Sequence, residues 1–391
     1  MFPNKLFPVR SFPDQVYPFG IGSLVHKYSE ILLYIKSILE ATEMFGPVRV
    51  PIVIHGEPFP LNAGPCAYII PGHSTTIESQ HMGDGRFFYG FTGHVTVRVV
   101  DRDLRDYTGS KEIALTAQTT GLLRRAHKVI DLLDLEFAQK VSSDQYPSPI
   151  YLNRTYAEKL FPSLLFPRSQ SLYENLTQEP IVLVSQSPVT MYSNGSEWSA
   201  VDLDFRFPYT VEFQRDTHFE PSPATDEPTP TNLADLLLAV KSQILSQGFL
   251  NTFKAMISIK QDPFPLTGGP FAIINPGEFS AVEYDKYGAG RNYASMEGYF
   301  NVNPAVRNMT DITGYATNAL TGSLSDISLY SAVQFLMEQL CMSFLYDADG
   351  NFLAEVPLDL VQIGAPRYFG GHSGYVTLPL VFRTKYQEAL T

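Results

Sequence analysis

The sequence "PFPLNAGPCAYIIPG" runs from Pro58 to Gly72, and "PFPLTGGPFAIINPG" runs from Pro263 to Gly277, 205 positions later. Starting one residue earlier in each segment, ten of sixteen positions are identical. Composition alone would give roughly one match over this length. The identity therefore predicts that the chain contains an internal duplication.

The correspondence continues in both directions. At the same offset it takes in Lys36-Ser37 with Lys241-Ser242, Gly83 with Gly288, Gly85-Arg86 with Gly290-Arg291, and Ala114-Leu115-Thr116 with Ala319-Leu320-Thr321. Towards the end of each copy the offset falls to 177, where Phe205-Arg206 corresponds to Phe382-Arg383. Copy one therefore carries about 28 residues that copy two lacks.

Four segments follow from the repeat. Residues 1–22 form an arm outside it, residues 23–215 and 231–391 are the two homologous domains, and residues 216–230 are an acidic linker rich in Pro and Thr. In the arm an aromatic residue precedes a proline every five residues, at Phe2, Phe7, Phe12 and Tyr17 in turn.

Proline holds this arm extended, so its rings cannot be buried within the arm itself. A disordered tail is one interpretation. We favour an arm whose rings dock on a neighbouring subunit.

Hydrophobic periodicity predicts the same elements in each copy. Apolar residues at helical spacing run from Ile31 to Leu39 and from Leu236 to Leu245, and a second helical stripe begins at Leu122 with a counterpart between 324 and 345. Strands are predicted at 48–54, 66–70, about 94–100 and 201–207, with a Gly-rich loop before the third. The predicted fold is α+β: two tandem homologous domains, each an antiparallel β-sheet flanked by two helices.

Composition limits the possible partners. The chain has 391 residues, of which 44% are hydrophobic, and a net charge of −12. This charge and the lack of a basic stripe argue against gripping nucleic acid or an anionic membrane, and no apolar run approaches the roughly 20 residues of a membrane span. With no visible signal peptide and only two cysteines, we expect a reduced, cytosolic setting.

No residue pattern points to catalysis, a metal or a cofactor. "MGDGRFFYG" lacks the spacing of a phosphate-binding loop. The histidines at 55, 73, 81 and 94 lose their identity in copy two, and Asp202 and Asp204 alternate with inward apolar residues as solvated strand positions do. We expect no enzyme activity and no cofactor. The loop residues Arg86, Phe87 and Phe88, with Arg291 and Tyr293 in copy two, are instead predicted to lie at an interface.

The order of elements resembles the tail terminator, or tail completion, family of bacteriophages. The resemblance rests on the leading amphipathic helix, on "PCAYIIPG", on the second helix and on the closing "SEWSAVDLDFRFPYTVEF". It implies a structural virion protein that forms a ring on the end of the tail tube, stops tube growth and joins the tube to neck or head-completion proteins. The chain would be assembled in the host cytoplasm, and DNA would only pass through the ring.

Several alternatives remain open. The same domain could serve in a neck, a head-tail adaptor or a baseplate of a phage or related injection system, and the aromatic loops also suit an enzyme or a carbohydrate-binding module. Family members have one domain, whereas this chain has two. We expect six two-domain chains in the ring; three chains supplying six domain positions are the alternative.

Overall fold

A computed structural model describes the chain in sixteen stretches. They are residues 26–42, 44–45, 49–54, 65–82, 86–101, 121–134, 181–192, 198–214, 231–246, 254–257, 271–287, 291–306, 328–346, 353–354, 356–369 and 375–390. The arm and the linker predicted from the sequence lie outside them. Below, residues 23–215 are called the first half and residues 231–391 the second half.

The described residues form four helices and one sheet of twelve strands. The helices are α1 (Lys27–Glu40), α2 (Leu122–Leu133), α3 (Leu233–Ser246) and α4 (Leu329–Leu340). The strands of the first half are β1 (Cys66–Met82), β2 (Arg86–Asp101), β3 (Val182–Gln186), β4 (Thr190–Tyr192) and β5 (Trp198–Gln214). Those of the second half are β6 (Lys254–Ile257), β7 (Phe271–Tyr287), β8 (Arg291–Val306), β9 (Asp359–Ile363), β10 (Arg367–Phe369), β11 (Tyr375–Thr377) and β12 (Leu380–Leu390). The prediction of an α+β fold with an antiparallel sheet is confirmed at this level.

Eight strands set the order of the sheet. Across it run β7, β8, β12, β9, β1, β2, β5 and β3, and each neighbouring pair is antiparallel. β6 lies parallel to β7, and a short stretch around Ile52 lies parallel to β1 in the same way. The pairing of β9 with β1 joins the two halves, so the sheet is continuous from one half to the other.

The two long hairpins, β1–β2 and β7–β8, have the same register. Cys66 pairs with Val100, and the residues 205 positions later, Phe271 and Ala305, pair with each other. Irregularities between Pro71 and Ser74 and between Thr76 and Glu78 recur at the corresponding places in β7. β-bulges of this kind bend a strand and increase its twist, so both hairpins bend at the same points.

The closing strands also agree. β3 pairs with β5 through Leu183 and Phe205, and β9 pairs with β12 through Leu360 and Phe382, which lie 177 positions further on. In each pair the register shifts at one valine, Val184 or Val361. Each half therefore holds a four-stranded unit: β1, β2, β5 and β3 in the first, and β7, β8, β12 and β9 in the second.

Apolar residues alternate along these strands and build one main core beneath the helices. In β5 the residues Val201, Leu203, Phe205 and Phe207 are buried, as the alternation predicts, and in the second half Val376, Leu378, Leu380 and Phe382 are buried. The core takes in α1 and α2 as well as α3 and α4, so residues of both halves share it. Burial of this apolar area is the dominant favourable contribution to folding.

Two smaller clusters lie apart from the main core at corresponding places. In the first half Cys66 and Tyr68 lie with the buried Trp198, and in the second Phe271 and Ile273 lie with Tyr375. The first cluster combines the small Cys66 with the large Trp198, and the second combines Phe271 with Tyr375 at corresponding positions. The ring centroids of Phe271 and Tyr375 lie 5.7 Å apart. Cys66 and Trp198 are thus packing residues of the first-half cluster.

A buried ion pair fixes α2 to the end of β2. Arg125 Nε lies 3.2 Å from Asp101 Oδ2, and its Nη1 donates to the Met44 carbonyl at 3.2 Å. Burial lowers the pKa of Arg125 and Asp101 opposes that shift. When α2 and α4 are aligned on their first residues, Leu122 and Leu329, the offset is 207 and Ala332 corresponds to Arg125. Val306 corresponds to Asp101 at the offset of 205, and both Ala332 and Val306 are buried and apolar. The first half therefore carries a polar tie that the second half does without.

The predicted Gly-rich loop is wrong. Residues 73–82 and 86–93 belong to β1 and β2, so β2 begins at Arg86 and not near His94. The glycines of this region lie within paired strands. At Gly72 the backbone of the neighbouring strand approaches too closely for a side chain. A Cβ on Gly72 would lie 2.5 Å from the His94 carbonyl oxygen, and one on Gly277 would collide with the corresponding oxygen of Tyr299.

Gly72→Ala should therefore lower the free energy of unfolding by about 1–3 kcal/mol, because the added Cβ collides with rigid backbone. Gly90→Ala is the matched control: its Cβ would meet the flexible side chain of Glu78, and a serine, Ser295, occupies the corresponding place in the second half. Urea unfolding of both variants measures the difference. Equal losses for the two variants would contradict this account of the repeated glycines.

Candidate assembly interface

The first hairpin brings three of the predicted interface residues to its tip. β2 alternates, so Phe87 points into the core, where it is 2% exposed and stacks on Phe213 with 5.5 Å between ring centroids. Phe87 is thus not available to a partner in this fold, since its side chain belongs to the core. Arg86 and Phe88 point to the opposite face of the sheet.

Arg86 lies near an acidic side chain. Its Nη1 is 3.7 Å from Glu212 Oε1 on β5, and both side chains are about half exposed, at 47% and 50%. An exposed ion pair at this distance contributes little to stability. Arg86 is therefore placed at the surface with its guanidinium accessible, as an interface residue would be.

The second hairpin places its predicted residues at matching positions. Arg291 pairs with Tyr287 as Arg86 pairs with Met82. Tyr293 lies two residues further along β8 and is partly exposed. The arm residues Phe2, Phe7, Phe12 and Tyr17 lie outside the described residues.

The face that Arg86 shares is polar along β2 and β5, and it is called the polar face below. Its side chains include Thr92, His94, Thr96 and Arg98 on β2 and Asp202, Asp204 and Arg206 on β5. Arg98 donates to both carboxylate oxygens of Asp202, at 2.6 and 2.8 Å. Asp204 accepts from Thr96 at 2.6 Å and from Ser185 at 2.8 Å. Both carboxylates thus serve as cross-strand partners within the sheet.

Two histidines meet on this face, where His73 of β1 stacks on His94 of β2 with 4.5 Å between ring centroids. Burial and the neighbouring His73 lower the pKa of His94. In the part of the chain that the structure describes, no three His, Cys, Asp or Glu side chains are grouped to hold a metal ion.

The joint between the halves is a second candidate interface, one that sequence reasoning missed. Ser74 and Thr75 of β1 pair with Ile363 and Gln362 of β9, and the Thr76 hydroxyl donates to the Leu360 carbonyl at 2.5 Å. Ser74 is 2% exposed and Ile363 is 3% exposed. Strand pairing and burial thus hold the halves edge to edge.

Four aromatic side chains reinforce this joint beneath the sheet. His26 stacks on Tyr330 of α4 at 5.8 Å, and Tyr28 of α1 lies 5.4 Å from Tyr330 and 5.7 Å from Tyr209, measured between ring centroids. All are at most 1% exposed. Aromatic pairs in such geometry stabilise beyond their buried area. The first turn of α1 is therefore fixed against the second half.

Tyr28 also holds the bulge of β1 in place. Its hydroxyl donates to the His94 carbonyl at 2.5 Å and accepts from the Gly72 amide at 2.9 Å. Burial raises the pKa of Tyr28. Another buried tyrosine, Tyr89 of β2, lies with its hydroxyl beside Cys341 and Leu360 of the second half, and burial raises its pKa too. Burial thus favours the protonated form of both hydroxyls.

The two outer edges of the sheet are open among the described residues. Among the described strands, β3 has a partner only on the side of β5. On the side away from β8, no described strand pairs with β7 beyond Pro276. Large apolar side chains are exposed at both places: Val184 is 54%, Val282 is 52% and Tyr284 is 69% exposed. An open edge with exposed apolar side chains is a template for pairing with another chain.

No helix in the described part of the chain combines the length and the apolar run that crossing a bilayer demands. Comparison of the sequence with the models of known protein families finds none that matches, and comparison with curated proteins finds no match either.

Sequence reasoning singled out residues beside the ends of the hairpins because Arg86 and Arg291 stand 205 positions apart, as the rest of the repeat does. Their place at an interface stays a prediction. It missed the joint because His26, Tyr28, Tyr209 and Tyr330 come together from three distant segments. A signal was present in Tyr330: its counterpart 207 positions earlier in α2, Leu123, is partly exposed. A large aromatic residue where the other copy has a smaller aliphatic one is consistent with an extra contact.

Replacing Arg86 and Arg291 together by alanine should weaken assembly while changing the free energy of unfolding by no more than about 1 kcal/mol, because the pair to Glu212 is exposed. Sedimentation measures assembly and thermal unfolding measures stability. Glu212→Gln is the control, since it removes the ion pair and keeps both arginines. A large loss of stability in the double variant would mean that the arginines are structural partners.

His26 should make the protein less stable in acid. Burial lowers its pKa to about 3, and its Nε2 has no hydrogen-bond partner among the described residues. Below the ordinary pKa of about 6.5 the unfolded chain binds a proton that the folded chain rejects, so stability falls by up to about 1.4 kcal/mol per pH unit as the pH falls towards 3. His26→Asn, which keeps a capping side chain, should reduce this slope by one proton.

The measurement is the free energy of unfolding from pH 7 to pH 4 for both chains. The exposed His127, whose side chain is 69% accessible, provides the matched variant His127→Asn, which should leave the slope near that of the parent. An unchanged slope in His26→Asn would show that His26 accepts its proton in the folded state.

Proposed function

We propose that the chain is a tandem duplication of one α+β domain and forms a ring at the end of a phage tail tube, where it terminates tube growth and joins the tube to the neck. The chain itself, the tube protein and neck or head-completion proteins are its proposed partners, and the virion is its proposed location. The resemblance to tail terminators supplies the biological setting. The geometry of the sheet supplies the physical support.

The observation that carries the proposal is the repeated four-stranded unit. The two units have the same order, register and bulges, and they stand side by side in one sheet with a strand edge open at each end. A unit that binds its own copy edge to edge in one direction generates a ring or a filament. Such an arrangement suits a protein that encircles a tube.

The sheet order also bears on the number of chains. A six-chain ring, expected from sequence, needs the second domain of each chain to lie in another tier or outside the ring. The pairing of β9 with β1 keeps both units in the same sheet. We therefore favour the alternative of three chains, which gives six unit positions in one tier.

The charge of the chain fits a ring through which DNA passes. A net charge of −12 disfavours adhesion of a polyanion to the protein. On the polar face, Arg98 is neutralised by Asp202 with two short hydrogen bonds. DNA is accordingly proposed to pass the protein without sequence-specific binding.

The proposal is tested on tail tubes assembled from the tube protein of the same virus. Addition of the purified chain should stop elongation, and electron microscopy with a gold-labelled chain should show label at one end of each tube and none along its length. Label at the opposite, baseplate end of intact virions would support the alternative baseplate role. Label at the neck without an effect on elongation would support a head-tail adaptor, and a chain absent from the virion would overturn the proposal.

A further inference from the structure

We propose that β3 of one chain pairs antiparallel with the outer edge of β7 in the next copy of the same chain, repeating between chains the joint that β9 and β1 form within each chain. The inference rests on the proposed function for the closure of the ring. The pairing itself needs only a second copy of the chain. The proposed occupant of both open edges is therefore the same: another molecule of this protein.

The two open edges of the sheet are equivalent to the two edges that meet at the joint. β3 corresponds to β9 and β7 corresponds to β1. Within its own four-stranded unit, each strand has the same neighbour, register and bulges as its counterpart. Within the chain, β9 of one unit binds β1 of the other. The two strand edges that pair with each other within the chain therefore have counterparts at the two ends of the sheet. These counterparts, the outer edges of β3 and β7, have no strand partner there among the described residues.

The register of the joint specifies which residues would meet. Inside the chain Ser74 lies opposite Ile363 and Thr75 lies opposite Gln362. Transferring these pairs to their counterparts places Phe279 opposite Gln186 and Ser280 opposite Ser185. These two pairs define the proposed contact at the level of single residues.

Burial differs between corresponding positions. At the inner joint Ser74, Leu360 and Ile363 are at most 3% exposed. At the outer edges their counterparts Phe279 and Leu183 are partly exposed and Gln186 is exposed. The same backbone geometry is thus covered at one place and open at the other, as expected if the cover at the outer edges comes from a second molecule.

The helices beneath the sheet follow the same pattern. Gln334 and Phe335 of α4, the helix that contacts α1 at the joint, are 3% exposed. Their counterparts on α2 are His127, which is exposed, and Lys128, which is partly exposed. Beside them Leu123 takes the place of Tyr330. This face of α2 is where α3 of the next copy would lie, with Leu233 in the place of Tyr28 and the acidic Asp235 in the first turn of α3. Arg124 and Lys128 on α2 give that face a charge opposite to Asp235.

The outer contact is built from weaker parts than the inner joint. Ala281 stands where Thr76 donates to the Leu360 carbonyl, and Ala294 stands where Tyr89 is buried. Leu123, Leu233 and Thr231 stand where Tyr330, Tyr28 and His26 form the aromatic group. The contact between chains is therefore expected to form and dissociate while the joint within the chain stays closed.

Site-specific cross-linking tests the register. One preparation carries Ser185→Cys and the other carries Ser280→Cys, and the two are mixed and oxidised. Side chains directly opposite in an antiparallel pair lie within about 4.5–5.5 Å, close enough for a disulfide or a short bifunctional thiol reagent. Covalent dimers should form in the mixture and not in either preparation alone. The native Cys66 and Cys341 are buried, so the parent chain should stay uncross-linked.

Two controls fix the interpretation. Gln186→Cys mixed with Ser280→Cys shifts the register by one residue and turns the thiol to the other face, so its dimer yield should be several-fold lower. Thr75→Cys with Gln362→Cys in one chain should give an intramolecular disulfide and no dimer, because these residues already pair within the chain. A chain with both Ser185→Cys and Ser280→Cys should give a closed species whose mass counts the chains in the ring.

Mixed dimers at the stated register support the inference. The inference is overturned if no mixed dimers form while the intramolecular control cross-links, including when the sample stays monomeric at high concentration. It is also overturned if the shifted pair gives the same yield as the stated pair. These outcomes are separate from the tube-capping experiment. A chain that caps tubes without this cross-link refutes only the pairing, and a chain that cross-links but is absent from virions refutes only the tail function.

Discussion

The close backbone approach of the two long strands in each hairpin is the constraint on which the rest of the structure depends. At Gly72 the carbonyl of His94 leaves no room for a side chain. The Tyr28 hydroxyl donates to this carbonyl and accepts from the Gly72 amide, so it is hydrogen-bonded to both strands. The bulge that follows gives β1 the course on which Ser74 and Thr75 meet β9. The helix α1, the hairpin and the joint between the halves are thus tied together at one place.

This arrangement gives a structural reason why the motif around Pro58 occurs again around Pro263. The segment leads into the strand that carries the glycine and the bulge. In the first half this strand is β1, which lies inside the sheet between β9 and β2, and in the second half it is β7, which lies at an end of the sheet. The same backbone requirement therefore acts in both places, although the side chains around it differ. The buried Arg125–Asp101 pair, replaced by Ala332 and Val306, shows how far packing can change when the backbone does not.

Much of the fold was accessible from the sequence because it depends on local periodicity. The stripes of α1 and α2 and the alternation of β5 are encoded in neighbouring residues, and these predictions hold. The lengths of β1 and β2 were not accessible, since glycines that mark loops elsewhere here permit two strands to approach. The joint was not accessible either, because strands 284 residues apart must meet before Thr76 finds the Leu360 carbonyl.

The bulges have a geometric consequence for any assembly that the sheet forms. Each four-stranded unit bends at the same points, near Pro71 and Val184 in the first half and near Pro276 and Val361 in the second. Bulges add twist and curvature, so each unit turns the sheet by a set angle. In a ring of the proposed kind, the number of units in a full turn and the width of the opening would then follow from backbone curvature. Surface substitutions would change how tightly neighbours hold, and changes at the bulges would change the diameter.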